Sequence, residues 1–472
     1  MDRYKYLIMN TIIFALSNVL VKLLSFVMLP LYTGVLSTAD YGTVELINVT
    51  ITLLIPIFTL SISQAVIRFT FIEDVSKSTI LTNGLLITFI GAIVMIVTYP
   101  IFKIFDAVIL EYYPYVMLIF VTTVVEQLFF NFAKGIENVK VCAMNSVVSV
   151  VVSIIANIVL LLVFKMGIDG YLISIVASEC ICCAYIFFRA GLRKYINIKS
   201  LDIKILNEML TYSIPFIFTS IAWWVNAVSD RYVIVYLVGI ASNGLYSVAG
   251  KLPSITSLVT SVFNQAWQIS GIKEYEDSSY EEFFSKIYGM YNVVMVIISS
   301  ILILISPFLA KFLFKGQFYI AWKFTPFLLI GTIFSGLSGV IATVFFAIKK
   351  TKILMISTIS GAIINLILNF LLVGVIGVQG AAIATMISFI IVWFVRYINS
   401  KKYITIKIKW APTLCLYALL IIQSVVMISE CSHYFLLSSV IVFMILLFNF
   451  YECMQLIHFS RKLIVDFKNK RK

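Results

Sequence analysis

Charged side chains are scarce in this sequence of 472 residues: only 12% are Asp, Glu, Lys or Arg, while 61% are hydrophobic. So little charge cannot cover the surface of a globular protein in water, which excludes the soluble class. Polar stretches are correspondingly short, and none is long enough to fold as a separate catalytic domain. A glycine-rich nucleotide signature is also missing, so the sequence does not predict direct use of ATP.

Histidine is nearly absent, with two residues in the whole chain. Cys180, Cys182 and Cys183 lie beside Glu179, but no histidine accompanies them on a segment that is otherwise apolar. We expect these cysteines to pack as small apolar side chains, and we expect no metal ion and no cofactor. The short outer loops hold no histidine and no constellation of paired carboxylates, so we expect a protein that is not an enzyme.

Apolar runs of about 20 residues, the length needed to cross a bilayer, follow one another through most of the chain. About 14 such runs predict an all-α polytopic membrane protein, because helices satisfy every backbone group within one run. The first run has no small-residue cleavage site and is expected to be a retained helix. The predicted helices begin near residues 7, 41, 78, 113, 140, 170, 209, 243, 286, 322, 352, 378, 411 and 434.

Two of these runs repeat each other. One reads KVCAMNSVVSVVVSIIAN and is followed by GIDG, and the other reads KILMISTISGAIINLILN and is followed by GVQG. Polar residues recur at matching depths in runs that could otherwise hold any apolar residue, and such duplication is typical of transporters. The aligned pairs include Lys140 with Lys352, Asn145 with Ser357, Asn157 with Asn369, Gly167 with Gly377, and Gly170 with Gly380.

The repeat predicts how the chain is organised. We expect an N-terminal six-helix lobe over residues 1–190 and a C-terminal six-helix lobe over residues 207–398, related as a parallel repeat. Two further helices over residues 410–457 and a basic tail over residues 458–472 follow them. An even number of helices places both termini on one side, and most of the Lys and Arg fall on that side, which predicts cytoplasmic termini. The net charge of +13 therefore indicates orientation and contact with anionic lipids, with no role in nucleic-acid binding.

Ionisable residues inside the predicted helices are candidate functional residues, since each costs about 2.5–3.5 kcal/mol on insertion scales. Lys22 and Lys251 lie several turns from either surface on polar helix faces, so we expect them to line a hydrated cavity. The uncharged Ser, Thr and Asn residues of those faces fit hydrogen bonding between packed helices equally well. The remaining candidates are Arg68 and Arg231 among the bases, and Glu45, Glu126, Glu179 and Asp230 among the acids.

A hydrated chamber with free positive charge suits a phosphate or pyrophosphate group, whose oxygens accept hydrogen bonds from Lys and Arg. The four acids leave two interpretations open. They either balance the positive charges, as Asp230 would do for the adjacent Arg231, or they serve as proton or cation sites that couple transport to a gradient.

Two segments resemble those of a known family. The first helix carries N-x-x-x-F-x-x-S-N-x-x-x-K and leads into LPLYTGVLSTADYG (Leu29 to Gly42), and a later segment reads SDRYVIVYLVGIASNGLYSVAGKL (Ser229 to Leu252). Both resemble the oligosaccharide flippases of the polysaccharide transporter family, in the multidrug/oligosaccharidyl-lipid/polysaccharide exporter superfamily. The resemblance covers the first twelve predicted helices, and it implies two lobes around a V-shaped cavity that opens alternately to each side.

The same resemblance implies the cargo, an undecaprenyl-diphosphate-linked oligosaccharide repeat unit of the O-antigen type, moved to the outer leaflet for surface polysaccharide biosynthesis. It also implies that basic cavity residues bind the diphosphate and sugars. The matching positions are Lys22, Arg231 and Lys251, and Arg68 matches less closely. The expected location is the bacterial inner membrane. The expected partners are membrane lipids, the lipid-linked cargo, a polysaccharide polymerase and a chain-length regulator.

Three other functions remain open on the sequence alone. An ion-coupled multidrug exporter and a flippase of peptidoglycan lipid precursors belong to the same superfamily and share its fold. The deep acids Glu126 and Glu179 favour an exporter of cations, whereas Lys22 and Lys251 argue against it. A membrane-embedded polymerase or ligase is the third, and the shortness of the outer loops argues against it.

Overall fold

The computed structural model describes residues 26–100, 110–275, 277, 279–450 and 454. Within these residues the chain forms sixteen α-helices and no β-strand, which confirms the all-α prediction. The helices are α1 (Leu29–Val35), α2 (Thr38–Phe58), α3 (Ile62–Phe69), α4 (Lys77–Val97), α5 (Tyr113–Gly135), α6 (Val139–Asn157), α7 (Gly167–Arg189), α8 (Ile203–Leu237), α9 (Ile240–Ala249), α10 (Pro253–Lys273), α11 (Tyr280–Leu313), α12 (Thr325–Ala347), α13 (Lys352–Ile376), α14 (Val378–Ser400), α15 (Trp410–Ser429) and α16 (Tyr434–Phe448).

Eleven helical segments of the described chain are long and apolar enough to cross a membrane. The protein is therefore a multi-pass membrane protein. The sequence-based count of about 14 helices is larger for two reasons that the structure shows. The apolar α16 has only 15 residues. The helix predicted to start near residue 243 is divided into α9, which has only 10 residues, and α10, which has 21 residues but is too polar to count as a candidate span. Most of the first predicted helix lies outside the described residues.

The start of α2 is built by a capping box. Ser37 has extended backbone angles and its Oγ accepts a hydrogen bond from the backbone N–H of Asp40 over 3.1 Å. The Asp40 carboxylate in turn accepts from the backbone N–H of Ser37, also over 3.1 Å. This reciprocal pair satisfies two donors that an isolated helix end leaves open. The sequence STAD of the first family-like segment is thus the capping box that begins α2.

Two predicted helices are broken. The helix that begins as α2 ends at Phe58, passes through Leu60 and Ser61 with φ of 50° and 52°, and resumes as α3. The second break falls between Ala249 and Pro253, where α9 ends and α10 begins. Proline has no N–H to donate and disfavours helical angles in the residue before it, so Pro253 begins a new helix instead of lying inside an old one.

By its contacts the chain divides into two compact units. The first comprises the described residues up to Val235 together with Gly239–Gly244. One apolar core of this unit joins α2 to α5 through buried side chains such as Leu46, Ile47 and Phe120. A second core joins α3, α4 and α5 to the start of α8. Because α8 up to Val235 belongs here, the first unit contains the Leu29–Gly42 segment and all of the second family-like segment except residues 236–238 and 245–252.

The second unit comprises Tyr236–Val238 and the described residues from Leu245 onward. Its most buried helix is α12, which packs against α10, α11 and α14, while α13 packs against α14. A buried amide ties the last two helices to this body. Gln423 of α15 exchanges two hydrogen bonds with Ser300 of α11 and donates a third to Ser438 of α16. Such bonds hold helices together where lipid provides no hydrophobic drive between them.

The two helices that repeat each other in sequence, α6 and α13, also form equivalent hydrogen bonds. Asn157 donates from Nδ2 to the backbone oxygen and Oγ of Ser153, and Asn369 donates to the backbone oxygen and Oδ1 of Asn365. Both asparagines are buried. After each helix comes an aligned glycine with positive φ, 56° at Gly167 and 62° at Gly377, which a residue with a Cβ would rarely adopt.

Candidate functional site

The two family-like segments meet inside the first unit, at the start of α2. A Cβ on Gly42 would lie 2.1 Å from the backbone oxygen of Ile240, and a Cβ on Gly244 would lie 2.0 Å from that of Thr38. Only glycine permits the two backbones to approach this closely. The buried Asn243 adds a hydrogen bond from Nδ2 to the Gly42 oxygen over 2.7 Å. The YG of the first segment and the SNG of the second therefore form one interface.

A salt bridge lies one turn further along α2. Arg231 of α8 donates from Nη1 to Oε2 of Glu45 over 2.7 Å, with 18% and 8% of the two side chains exposed. Asp230 accepts a bond from the backbone N–H of Arg231 through Oδ1. In so dry a position a charge with no counter-charge would be strongly destabilising, so Glu45 balances Arg231 in this structure.

Aromatic side chains hold α8 against α2 on the same face. Trp224 donates from Nε1 to the backbone oxygen of Val49 over 2.7 Å. The hydroxyl of Tyr232 forms a hydrogen bond with Oγ1 of Thr50, and the rings of Trp224 and Tyr232 are in contact with centroids 5.6 Å apart. Tyr and Trp combine a large apolar area with one polar atom, which suits a helix interface inside a membrane. These contacts fix the position from which Arg231 reaches Glu45.

Three of the eight candidate residues predicted from the sequence come together here, namely Glu45, Asp230 and Arg231. Arg68 lies apart from them, exposed in the last turn of α3. Lys251 belongs to the second unit and lies half-buried in the break between α9 and α10. Lys22 lies outside the described residues.

The two remaining candidates form a separate acidic cluster. Glu126 of α5 accepts a hydrogen bond at Oε1 from Nδ2 of Asn145 of α6 over 2.7 Å. Glu179 of α7 is close enough for its charge to act on that of Glu126. Both carboxyl groups are half-buried, and within the described part of the chain neither forms an ion pair. A membrane-embedded acid without a cationic partner is suited to exchanging a proton or a small cation.

The cysteines of α7 pack around this cluster. Cys182 is buried with its Sγ 3.9 Å from the backbone oxygen of Asn145, and Cys183 has its Sγ 3.5 Å from that of Thr122. Among the described residues no group of three or more His, Cys, Asp and Glu side chains is arranged to hold a metal ion. The thiols of Cys182 and Cys183 form weak S–H hydrogen bonds to the backbones of neighbouring helices.

The polar residues of α10 have two distinct roles. Thr256 and Thr260 hydrogen-bond to neighbouring helices, the first to Thr332 of α12 over 2.8 Å and the second to Tyr291 of α11 over 2.9 Å. Two serines of the face predicted to be functional bond within their own helix, Ser257 to the Pro253 oxygen and Ser261 to the Leu258 oxygen. The two threonines therefore join α10 to its neighbours, as polar side chains do between membrane helices.

A half-buried charge, Arg396 of α14, is not among the candidate residues that the sequence predicts. Its guanidinium donates to four neutral acceptors within the second unit. They are Oγ of Ser357 over 2.9 Å, Oγ1 of Thr358 over 3.1 Å, and the backbone oxygen and Oγ of Ser338 over 3.0 and 3.4 Å. Ser357 aligns in the repeat with Asn145, which binds Glu126. The aligned position thus binds a base in one unit and an acid in the other. The polar pair Ser357 and Thr358, inside an otherwise apolar run, is the feature of the sequence that could have indicated this site.

Residues 7–268 match the sequence profile of a family described as polysaccharide biosynthesis protein, and this range contains both family-like segments. No protein of curated function matches the chain. The fold is similar to that of the lipid II flippase MurJ in an inward closed conformation, with a TM-score of 0.69, 17% identity, and coverage of 95% of this chain and 100% of that one.

Two transporter structures are similar as well. One is an inward-facing multidrug resistance MATE family transporter of the MOP superfamily, with a TM-score of 0.68, 13% identity, and coverage of 84% of this chain and 96% of that one. The other is a MATE transporter of Vibrio cholerae, with a TM-score of 0.59, 13% identity and the same two coverages. At such low identities these similarities establish the fold and leave the substrate open.

Proposed function

The chain belongs to the polysaccharide biosynthesis protein family, and on this premise we propose that it is a lipid-linked oligosaccharide flippase. The proposed cargo is an undecaprenyl-diphosphate-linked repeat unit, carried from the cytoplasmic to the outer leaflet by alternating access for surface polysaccharide biosynthesis. The observation that carries the proposal is the family match over residues 7–268, which contains the two family-like segments and both residues of the Glu45–Arg231 salt bridge. A fold shared with lipid flippases and exporters agrees with transport.

Arg231 is the basic residue of the proposal whose surroundings are best defined. Its guanidinium carries five N–H donors and matches the fork geometry of a phosphate. Glu45 accepts a hydrogen bond from Nη1 in this structure, so the diphosphate would bind either beside the carboxylate or in its place. In the second case Glu45 keeps the site neutral between transport events. Lys22, Arg68 and Lys251 are proposed as further contacts for the diphosphate and sugars.

The orientation and location form part of the same proposal. We propose a protein of the bacterial cytoplasmic membrane with both termini in the cytoplasm, because most Lys and Arg of the loops fall on the side of the termini. A flippase in this position would receive cargo made on the cytoplasmic face. It would then deliver that cargo to a polymerase and a chain-length regulator acting on the other face.

The acidic cluster is proposed to couple transport to a gradient of protons or small cations. Glu126 and Glu179 are adjacent acids within membrane-spanning helices, and no described base pairs with either. Two like charges this close are unfavourable in a medium of low dielectric constant, so the cluster favours binding a cation between them. The same cluster favours an ion-coupled multidrug exporter as the second candidate function.

Deletion followed by lipid analysis tests the proposal. Cells without the protein should accumulate the diphosphate-linked oligosaccharide on the inner leaflet and lose surface polysaccharide. Complementation with Lys22→Gln or Lys251→Gln should fail at normal protein level, while Lys311→Gln, on the exposed end of α11, should restore the polysaccharide.

Two results would favour an alternative. Unchanged lipid-linked oligosaccharide together with increased sensitivity to cationic drugs would support the multidrug exporter. Accumulation of the peptidoglycan precursor would support a flippase of that lipid.

A further inference from the structure

The second unit contains a lysine-lined cavity that the proposed function does not use. It encloses about 270 Å³ and lies where the starts of α11 and α15 meet the end of α16. Lys286, Lys407 and Lys409 line it, and its described lining residues include no Asp or Glu. A concave site with three lysines and no carboxylate is complementary to an anion.

Two of the three lysines, Lys407 and Lys409, lie on a segment of backbone that packs against α11. Residues 404–409 precede α15 and lie along the first turns of α11, with Ile404 and Ile406 buried. Glu281 accepts from the backbone N–H of Thr405 over 2.8 Å, and Ser285 Oγ accepts from that of Lys407 over 3.0 Å. Burial alternates along the segment, so Lys407 and Lys409 project on the side opposite the isoleucines.

A buried amide adds a donor to this cavity. Asn292 is a lining residue with only 6% of its surface exposed. Its Oδ1 accepts a hydrogen bond from the Tyr417 hydroxyl over 2.6 Å, and in the described part of the chain no protein group accepts from its Nδ2. An amide N–H₂ left open in a lysine-lined cavity points to an acceptor that comes from outside the protein.

An apolar cavity adjoins the first. It encloses about 350 Å³ between α11, α12, α14 and α15, and Tyr288, Ile408 and Thr413 line both cavities. Its lining extends from Trp410, at the start of α15, to Ile421, which is about 16 Å along the helix at 1.5 Å per residue. Nearly all of its other lining side chains are apolar or aromatic. A polar cavity near the membrane interface thus continues into an apolar one that runs toward the membrane interior.

We propose that the two cavities bind one anionic glycerophospholipid, with the phosphate at the three lysines and Asn292 and an acyl chain in the apolar cavity. Basic pockets between membrane helices on the cytoplasmic side bind anionic headgroups. The lysine-lined cavity is at the low end of the ~300–1,000 Å³ typical of ligand pockets, which fits a headgroup and is too small for an oligosaccharide. The adjoining apolar cavity favours a lipid phosphate over a free one.

Native mass spectrometry of the purified full-length protein tests this lipid site. Wild type should retain phosphatidylglycerol in preference to phosphatidylcholine, and inorganic phosphate should not displace it. Lys286→Gln with Lys407→Gln should weaken retention about tenfold or more. The matched control removes two exposed lysines outside both cavities, Lys199→Gln with Lys402→Gln, and should retain the lipid as wild type does.

Filling the apolar cavity with Ile390→Trp should also weaken retention, while leaving the lysines unchanged. Equal retention of phosphatidylglycerol and phosphatidylcholine, or undiminished retention in the lysine variant, would overturn the proposal. Preferential binding of undecaprenyl phosphate would overturn it too, because the site would then hold the carrier of the cargo. None of these readings depends on transport, so the lipid site and the proposed flippase activity can fail separately.

Discussion

Arg231 and Glu45 lie 186 residues apart in the sequence, yet a 2.7 Å hydrogen bond between Nη1 and Oε2 joins them in a nearly dry interface. The bond connects the second family-like segment to the turn of α2 that follows the first one. Both residues occupy helices whose other contacts, from Trp224 and from Gly42, already hold α8 and α9 against α2. The salt bridge is therefore positioned by its surroundings.

A double-mutant cycle should separate the structural and functional roles of this pair. Arg231→Gln or Glu45→Gln alone should lower the free energy of unfolding by about 3–5 kcal/mol, because each leaves a buried charge unpaired. The double variant should be less destabilised than the sum of the two. Thermal unfolding in detergent measures the stability, and surface polysaccharide measures the function.

If Arg231 binds cargo, the double variant should be folded and inactive. Arg231→Lys serves as the control that keeps the charge while removing the planar fork of the guanidinium. A double variant that transports normally would leave Arg231 with a structural role alone.

The close backbone contact at Gly42 and Gly244 should tolerate no side chain. Alanine at either position would place its Cβ about 2 Å from a backbone oxygen, so we expect loss of folded protein in the membrane, measured by size-exclusion chromatography. Gly374→Ala is the matched control, since nothing lies within 4 Å of a Cβ on this helical glycine. That variant should be unchanged or slightly more stable, because alanine is the better helix former by about 1 kcal/mol.

The repeated asparagines should have equivalent effects on stability. Asn157→Ala and Asn369→Ala each remove a buried amide that bonds to the residue four positions earlier. We expect both to lower the free energy of unfolding by a similar amount of about 1 kcal/mol. Ser360→Ala, at a half-buried position of α13 where the hydroxyl bonds to the Ile356 oxygen, should have a smaller effect. A large difference between the two asparagine variants would show that the repeat is not energetically symmetric.

The acidic cluster should be needed for coupling and dispensable for folding. Glu126→Gln and Glu179→Gln remove one charge each while keeping the shape, so thermal stability should be equal to or higher than that of wild type. Proton counterflow during transport in proteoliposomes, followed with a pH-sensitive dye, should fall at least tenfold in either variant. Glu208→Gln, on the exposed start of α8, is the control. Full counterflow in both cluster variants would exclude this site from coupling.

Most of the helices could be predicted from the sequence, and the reason is simple. A bilayer leaves backbone groups nothing to bond with except the helix itself, so an apolar run of sufficient length is a helix wherever it occurs. The predicted starts near residues 113, 352, 378 and 434 coincide with those of α5, α13, α14 and α16. The aligned asparagines and glycines of the repeat were also readable, because a residue kept polar in an apolar run must have a partner.

The sequence did not predict which polar side chains contact each other. The sequence offered Asp230 as a counter-charge for the adjacent Arg231, and it did not indicate that the side chain of Arg231 bonds to Glu45 across a helix interface. Adjacent residues on a helix point in different directions, so chain proximity is a poor guide to which charges meet. For the same reason the sequence did not predict the contacts of Arg396, whose hydrogen-bond acceptors Ser338 and Ser357 belong to two other helices.

The sequence by itself determined that this protein is a bundle of membrane helices with an internal repeat, since the length and polarity of each run are local properties. The tertiary structure decided which polar groups are neighbours. It joined Glu45 to Arg231, Glu126 to Asn145 and Lys286 to the segment around Lys407. Inside a membrane every polar group needs a partner, but which partner it finds depends on how helices distant in the chain pack together.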